Sequence, residues 1–261
     1  MIIKRLTAND QKNQEDDKMP VERDLLQELA ENTYLLQASD SEVPEPNIGI
    51  IITGGGTILV DAGNGPDQAE YIKQALAEIE APPAKYLIFT HHHWDHVFGA
   101  QEFEAPAIAG ERCYQYLKTY SQETWNEENL KESIRKNPKY KKTHEDQMQV
   151  IENWDSFEII LPEIVFEEKL LLHFPDRELV LQQVGGQHSE DSIVVKDYQA
   201  GVMFLGDSFY APPEYRNTSG SKINWSFLQE LLEDEIELYA HSHGNSLSRR
   251  AVKRLLERHL D

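Results

Sequence analysis

A cluster of histidines directly after a predicted strand constrains this chain more than any other feature. Residues 86–89 (YLIF) form an apolar run typical of a buried strand, and THHHWDHVFG follows at residues 90–99. In an extended segment His91 and His93, two residues apart, face the same side. So much polarity at the end of a strand is costly unless something binds it. The stretch therefore predicts a binding site.

Two more ligand-type side chains follow at once. Asp95 and His96 come at the next turn of the chain and can face the same point in space as the first two histidines. Imidazole nitrogens and carboxylate oxygens suit a borderline metal such as zinc. His92 and Trp94 alternate with these residues and are predicted to point away from the ligand face. We interpret the stretch as a metal site, and a polar loop of solvated histidines is the weaker interpretation.

The charge of the chain argues against whole classes of partner. Its 261 residues carry a formal net charge of −21 at pH 7. Binding to nucleic acid or to an anionic membrane surface requires a positively charged protein surface, so neither is expected as a partner. We expect a small-molecule substrate instead. The sequence leaves the oligomeric state open.

The cysteine content and the hydropathy predict the compartment. Cys113 is the single cysteine, so neither an internal disulfide nor a cysteine metal cluster can form. The first residues (MIIKR and a polar run) lack the apolar core of a signal peptide. No apolar stretch approaches the ~20 residues needed to cross a bilayer. The expected location is the cytoplasm.

Four further short motifs accompany the histidine stretch. They are VDAG with Asp61, GGQH with His188, LGDS with Asp207 and HSHG with His243. Together with residues 90–99 they resemble the motifs of the metallo-β-lactamase superfamily, and they occur in the order of that family. The resemblance implies an α/β fold, a four-layer αββα sandwich with the metal site at one edge of its two sheets.

The resemblance also implies a ligand set for two divalent metal ions. Zinc is the expected metal, with iron or manganese as alternatives. Asp61 is expected to accept a hydrogen bond and to hold the histidine loop in place. The implied ligands are His91, His93 and His188 of one ion, Asp95, His96 and His243 of the other, and Asp207 as a bridge between them.

The last ligand and the leaving-group acid are the open points of this assignment. His241 and His243 are two residues apart and can face the same side, and the Pro-Gly that usually precedes the final histidine of the family is absent. We favour His243, which stands beside Gly244. Tyr210, close after Asp207, is a candidate for the acid that protonates the leaving group.

The pattern of the chain predicts a single domain over residues 1–261. Residues 9–17 are almost wholly polar, and we interpret them as a mobile segment or an exposed turn. Residues 158–161 and 165–172 read as strands. Residues from about 111 to 155 are highly charged with scattered aromatics, which predicts an inserted helical lid over the site. The alternative is a solvated helical pair whose aromatics pack on the sheets.

The ligand set predicts a hydrolase. The resemblance implies a metal-bridging hydroxide, with Asp95 and Asp207 as the anionic residues of the catalytic centre. True zinc β-lactamases have cysteine or serine at the position of Asp207, so a small thioester, ester or lactone is expected as substrate. An iron-dependent persulfide dioxygenase and a phosphodiesterase are the alternatives that the resemblance allows.

Overall fold

The computed structural model describes residues 25–39, 41–217, 220 and 222–260. Two mixed β-sheets pack face to face, and helices cover both outer faces. This is the predicted α/β architecture, a four-layer αββα sandwich. The polar segment at residues 9–17 lies outside the described residues.

The first sheet has seven strands in sequence order. The pairs from β1 to β4 are antiparallel, and those from β4 to β7 are parallel. Its strands are β1 (Leu26–Ala30), β2 (Thr33–Leu36), β3 (Ile48–Thr53), β4 (Gly56–Val60), β5 (Ala84–Ile88), β6 (Ala107–Gly110) and β7 (Ile164–Phe166).

The second sheet has six strands in the spatial order β13-β12-β11-β10-β9-β8. All its pairs are antiparallel except β11 with β12, which is parallel. Its strands are β8 (Lys169–His173), β9 (Glu178–Gln183), β10 (Ile193–Asp197), β11 (Val202–Phe204), β12 (Leu238–Ala240) and β13 (Leu247–Ser248).

Seven α-helices accompany the sheets in the described part of the chain. None of them is long and apolar enough to cross a membrane. Three of them form the predicted insertion between β6 and β7. The helices are α1 (Pro66–Glu78), α2 (Trp94–Val97), α3 (Glu111–Tyr120), α4 (Glu127–Lys136), α5 (Lys141–Val150), α6 (Trp225–Glu230) and α7 (Arg249–Leu260).

Three apolar cores separate the four layers. The central core lies between the sheets and includes Ile58, Ile88 and Val195, all fully buried. A second core joins the first sheet to α1 and the insertion, and a third joins the second sheet to α6 and α7. Because each sheet buries both faces at its centre, central strands such as β3 read as continuous apolar runs rather than as alternating patterns.

Two of the strand predictions were wrong. Residues 165–172 do not form one strand, because the chain bends at the exposed Glu167 and Glu168 and passes from β7 in the first sheet to β8 in the second. Residues 158–161 pack their apolar side chains against the first sheet's core but pair with no strand in the described structure. In both segments the apolar residues predict burial. Whether a segment pairs with a neighbouring strand depends instead on where the chain turns.

The insertion is helical, and its aromatic residues divide into two sets. Trp125 and Trp154 stack with ring centroids 6.5 Å apart and pack against Phe98 and Phe157, which belong to the first sheet's outer core. This part matches the alternative of aromatics that pack on the sandwich. Other residues of the insertion reach the strand ends where the histidines lie. The role of residues 111–155 as a lid stays a prediction.

The topology brings the predicted motifs to one edge of the sandwich. In the first sheet, β4 and β5 are parallel, so Asp61 and the histidine stretch follow neighbouring carboxyl ends. In the second sheet, β9, β11 and β12 all run in one direction, and the other three motifs follow their carboxyl ends. Ligands of α/β sheets bind at such ends. The positions of the strands therefore explain the spacing of the motifs.

Gly99 holds the histidine loop against the turn after β4. Its amide donates to the carbonyl of Gly63 at 3.0 Å, and a Cβ at this position would overlap the carbonyl oxygen of Ala62. We expect Gly99→Ala to lower the free energy of unfolding by about 1–3 kcal/mol, because the clash is with backbone that cannot rotate away. Urea denaturation measures this. As a control, Gly65→Ala meets its nearest atoms at 3.4 Å and should cost less than about 1 kcal/mol.

Candidate metal centre

Three imidazoles converge in a buried group at the edge of the sandwich. The His93 Nδ1 atom lies 2.9 Å from His91 Nε2 and 2.9 Å from His188 Nε2. All three residues are at most 8% exposed. The structure thus brings together the first predicted ligand triplet, from two different sheets.

A second group lies beside the first. The Asp95 Oδ2 atom is 3.6 Å from His96 Nε2 and 3.7 Å from His243 Nε2. These three side chains can hold a metal ion with one ligand atom each. They are the second predicted triplet.

Asp207 lies between the two groups. Its Oδ2 atom is 3.2 Å from His188 Nε2 in the first group. The same oxygen is 3.5 Å from His243 Nε2 and 3.7 Å from His96 Nε2 in the second. One carboxylate therefore faces ring nitrogens of both groups.

Hydrogen bonds fix which nitrogen carries the proton in four of the five ligand rings, and His93 is the exception, since its Nε2 has no partner among the described residues. Thr90 Oγ1 donates to Asp61 Oδ2 at 2.9 Å, so it accepts from His91 Nδ1 at 3.0 Å. His96 Nδ1 donates to the other acceptor site of Asp61 Oδ2 at 2.7 Å. As neutral rings, His91 and His96 then keep their lone pairs on Nε2, the atoms that face the centre.

The other two rings are fixed by backbone carbonyls. His188 Nδ1 donates to the carbonyl of Ala211 at 2.7 Å, and His243 Nδ1 donates to that of Glu45 at 3.1 Å. Both rings again direct the Nε2 lone pair toward the centre. Such outer hydrogen bonds are the usual means of orienting metal-binding histidines.

The electrostatics of the group favour the protonation states that bind metals. Burial lowers the pKa of His91 and His93 well below the usual value, and neighbouring imidazoles lower it further. Burial opposes ionisation of Asp207, yet His243 and His96 hold its pKa well below the usual range. Neutral imidazoles and an ionised carboxylate are the forms that ligate a cation.

His96 shows the opposite effect. Burial opposes its protonation, but the carboxylates of Asp61, Asp95 and Asp207 together raise its pKa well above the usual value. A cation placed among these carboxylates replaces the proton that they would otherwise attract. The three carboxylates around His96 therefore form a site that favours a bound cation.

Unsatisfied buried atoms show that the residues fit divalent metal. His96 Nε2 and Asp207 Oδ1 are buried and have no hydrogen-bond partner among the described residues. Leaving such atoms unpaired costs free energy. Bound divalent ions would remove this cost, and the nitrogen and oxygen donors suit zinc.

Asp61 holds the histidine loop, the role expected of it. Its Oδ1 atom accepts from the Thr90 amide at 2.8 Å, and its Oδ2 atom accepts from Thr90 and His96. Its backbone adopts φ +68°, a left-handed conformation that is unfavourable for aspartate and persists where the surroundings enforce it. The strained turn after β4 aims the carboxylate at the loop.

His92 lies outside the ligand groups, and sequence reasoning missed its partner. The His92 amide and ring Nδ1 lie 2.8 Å and 3.0 Å from Asp191 Oδ2, and its ring stacks on Tyr116 at 4.0 Å between centroids. Ser189 also donates to Asp191. Asp191 thus ties the loop of His91 and His93 to the loop of His188. Its place three residues after His188 is the only signal of this in the sequence.

The structure separates the two candidates for the last histidine. His243 faces Asp95 and Asp207, whereas His241 Nδ1 is hydrogen-bonded to the Tyr210 hydroxyl. That hydroxyl also bonds to the His243 carbonyl at 3.0 Å, and burial next to Asp207 raises the Tyr210 pKa. Tyr210 stays protonated and supports the loop of His243. Its role as leaving-group acid stays a prediction.

Asn47 is a further support that the sequence did not indicate. Its side-chain amide donates to the carbonyls of His241 and Gly244, at 2.8 Å and 2.7 Å. It therefore clamps both ends of the last histidine loop. A lone asparagine before a predicted strand carries no signature of such a contact.

Removal of the Asp61 carboxylate charge tests how the loop is held. We expect Asp61→Asn to weaken zinc binding about 10–100-fold, because the amide cannot accept all three of its hydrogen bonds. Competition with a chromophoric chelator measures the affinity. Asp67→Asn, which changes an exposed aspartate in the first turn of α1, is the matched control and should leave affinity unchanged. Equal affinities in all three proteins would contradict the role of Asp61.

The two histidines of the last motif can be separated by the same titration. We expect His243→Ala to weaken the binding of one zinc ion at least about 100-fold, since it removes a ligand atom rather than a support. His241→Ala should change affinity less than about 10-fold, because Asn47 and Glu45 still hold the loop. The reverse pattern would show that His241 is the ligand.

Comparison with known proteins agrees with this architecture. The family model of the metallo-beta-lactamase superfamily matches residues 43–256. A metallo-beta-lactamase from Pontibacter korlensis is similar in structure with a TM-score of 0.59 and 16% identity, covering 89% of this chain and 96% of that chain. A metallo-beta-lactamase family protein from Thermus thermophilus gives 0.61 and 16%, covering 89% of this chain and 81% of that one. At these identities the likeness shows the fold alone.

Alkylsulfatases are also among the similar proteins. The stereoselective inverting sec-alkylsulfatase from Pseudomonas sp. gives a TM-score of 0.64 at 14% identity, covering 89% of this chain and 40% of that chain. The linear primary-alkylsulfatase of Pseudomonas sp. (strain ATCC 19151) is 34% identical over 71 residues, 26% of this chain and 12% of that protein. This chain therefore matches a small part of the alkylsulfatase sequence.

The family match covers most of the chain and includes every motif of the candidate centre. The observed fold and the comparisons lead to the same conclusion. This protein belongs to the metallo-beta-lactamase superfamily.

Proposed function

We propose that this protein is a dinuclear-metal hydrolase of a small ester, thioester or lactone. The observation that carries the proposal is the position of Asp207. A single carboxylate within 3.2–3.7 Å of ring nitrogens from both groups is suited to bridge two cations.

The ligand residues supply the charge and the geometry of the reaction. When bound, two divalent ions lower the pKa of a shared water to about 7 and polarise the substrate oxygen. Asp95 and Asp207 bring two negative charges that offset the charge of the cations. The carbonyls of Ala211 and Glu45 hold the rings of His188 and His243 in place, so little reorganisation is needed during the reaction.

Zinc is the metal that we propose for this site. Imidazole and carboxylate donors suit zinc, and iron or manganese accept the same donors. No cysteine takes part, since Cys113 is buried in the core. The formal net charge of −21 favours a small molecule over nucleic acid.

Sulfate-ester hydrolysis is the second candidate. The 34% identity to a linear primary-alkylsulfatase over 71 residues favours it, although those residues are 12% of that protein. The sulfate group would take the place of the acyl group at the metals. Persulfide oxidation and phosphodiester hydrolysis have no specific observation in their favour.

The substitution Asp207→Asn tests the proposal. We expect hydrolysis of the responsive substrate to fall at least about 100-fold, because the amide carries no charge to share between two cations. The assay panel comprises 4-nitrophenyl butyrate, an acyl thioester, γ-butyrolactone and an alkyl sulfate. Chelator should abolish activity and added zinc should restore it.

The control for this test is Asp155→Asn, which changes an exposed aspartate of the insertion and should hydrolyse like wild type. Undiminished hydrolysis by the Asp207 variant would contradict the dinuclear mechanism. Activity toward the alkyl sulfate alone would select the second candidate.

A further inference from the structure

A cleft of about 660 Å³ borders the candidate metal centre at His243. Its walls come from the segment between β2 and β3 and from the last histidine loop, which contributes Gly244 and Asn245. Clefts of ~300–1,000 Å³ are typical of sites for small molecules. The cleft therefore has the size and the place to hold the part of a substrate that is not hydrolysed.

Hydrogen bonds connect the walls of the cleft to each other and to His243. Gln37 Nε2 donates to Asn245 Oδ1 at 2.9 Å, which links the two walls. The Glu45 carboxylate accepts from the amide and hydroxyl of Ser39, at 3.0 Å and 2.8 Å. The backbone of Glu45 in turn accepts from His243. The wall is thus connected directly to a metal-ligand ring.

The lining has an apolar side and an acidic side. Pro44 supplies exposed apolar surface, and Glu42 and Glu45 supply carboxylates. None of the described residues that line the cleft is lysine or arginine. The Lys142 ammonium donates to the Glu42 carbonyl at 3.4 Å and is paired with both Asp146 oxygens at 2.6 Å and 2.8 Å.

This lining discriminates by charge. An anionic group beside Glu42 and Glu45 would face their carboxylates, within a protein of net charge −21. A short aliphatic chain can lie on the exposed Pro44, and an ammonium group beside Glu42 would meet its carboxylate. Like charges in contact disfavour binding, and opposite charges favour it.

We propose that this cleft binds the non-reacting arm of the substrate, and that it selects a neutral or cationic arm over an anionic one. This inference rests on the proposed function only in that it calls the bound molecule a substrate. It applies equally to a carboxylic ester and to a sulfate ester, because it concerns the arm and not the reacting group.

A binding experiment tests the cleft without any hydrolysis. The zinc-loaded, ¹⁵N-labelled protein is titrated with n-butylammonium, 1-butanol and n-butanesulfonate, and the amide shifts of Ser39, Ser41 and Asn245 are followed. We expect n-butylammonium to shift these amides at the lowest concentration and 1-butanol at a higher one. The sulfonate should leave them in place, even if it binds at the metals and shifts other amides.

Two variants and a control locate the effect. Glu42→Gln should weaken n-butylammonium binding roughly twofold to fivefold and leave 1-butanol unchanged, since an exposed ion pair contributes little. Ala38→Phe should block both probes by filling the cleft. Glu257→Gln, an exposed change in α7, should alter neither.

The outcomes separate this inference from the proposed function. Equal shifts of the cleft amides by the sulfonate and the ammonium, or no shift by any probe, would overturn the charge-selective cleft even in an active hydrolase. Charge-selective shifts in a protein that hydrolyses none of the assay panel would support the cleft and count against the proposed reaction.

Discussion

The structure depends on the crowding of imidazole lone pairs at one edge of a sheet sandwich. His91 and His188 each direct a bare Nε2 at His93 Nδ1, and both of these contacts are 2.9 Å long. A single proton on His93 Nδ1 cannot hydrogen-bond fully to both of these nitrogens, and burial denies them water. The fold tolerates the arrangement because strands, carbonyls and carboxylates hold the surrounding rings from behind. A cation bound among the three nitrogens would satisfy all of their lone pairs at once.

Much of this could be predicted from the sequence. A polar ligand motif that follows an apolar run marks the carboxyl end of a strand, which is where Asp61, His91 and Asp207 lie. The architecture followed from the resemblance of those motifs to the metallo-β-lactamase superfamily. The edge strands were harder. β1 has the sequence LQELA, whose pattern resembles neither a buried nor an alternating strand, and only its pairing with β2 defines it.

The supports of the site could not be predicted, for a physical reason. The carbonyls of Glu45 and Ala211 orient two ligand rings, and a carbonyl is present at every residue. Asp191 and Asn47 act across long separations in the chain, 99 residues to His92 in one case and 194 to His241 in the other. Patterns of local spacing contain no information about such contacts. The cleft beside His243 could not be predicted for the same reason, because its walls come from segments that are far apart in the sequence.

The acidic character of the chain and the chemistry of the centre belong to one electrostatic picture. The carboxylates around His96 attract cations to the centre, and those of the neighbouring cleft repel anionic substrate arms. A metal ion is then the positive charge that makes the centre receptive to the electron-rich oxygen of an ester. The central claim of the account is that the two histidine groups are two metal sites.

The metal content of the chain, purified without chelator and measured by inductively coupled plasma mass spectrometry, tests that claim most directly. The account predicts two divalent ions per chain, with zinc or manganese as the metal of a hydrolase. A single iron per chain would point instead to the oxidative alternative. No metal in the purified protein, and none taken up on dialysis against zinc, would contradict the account.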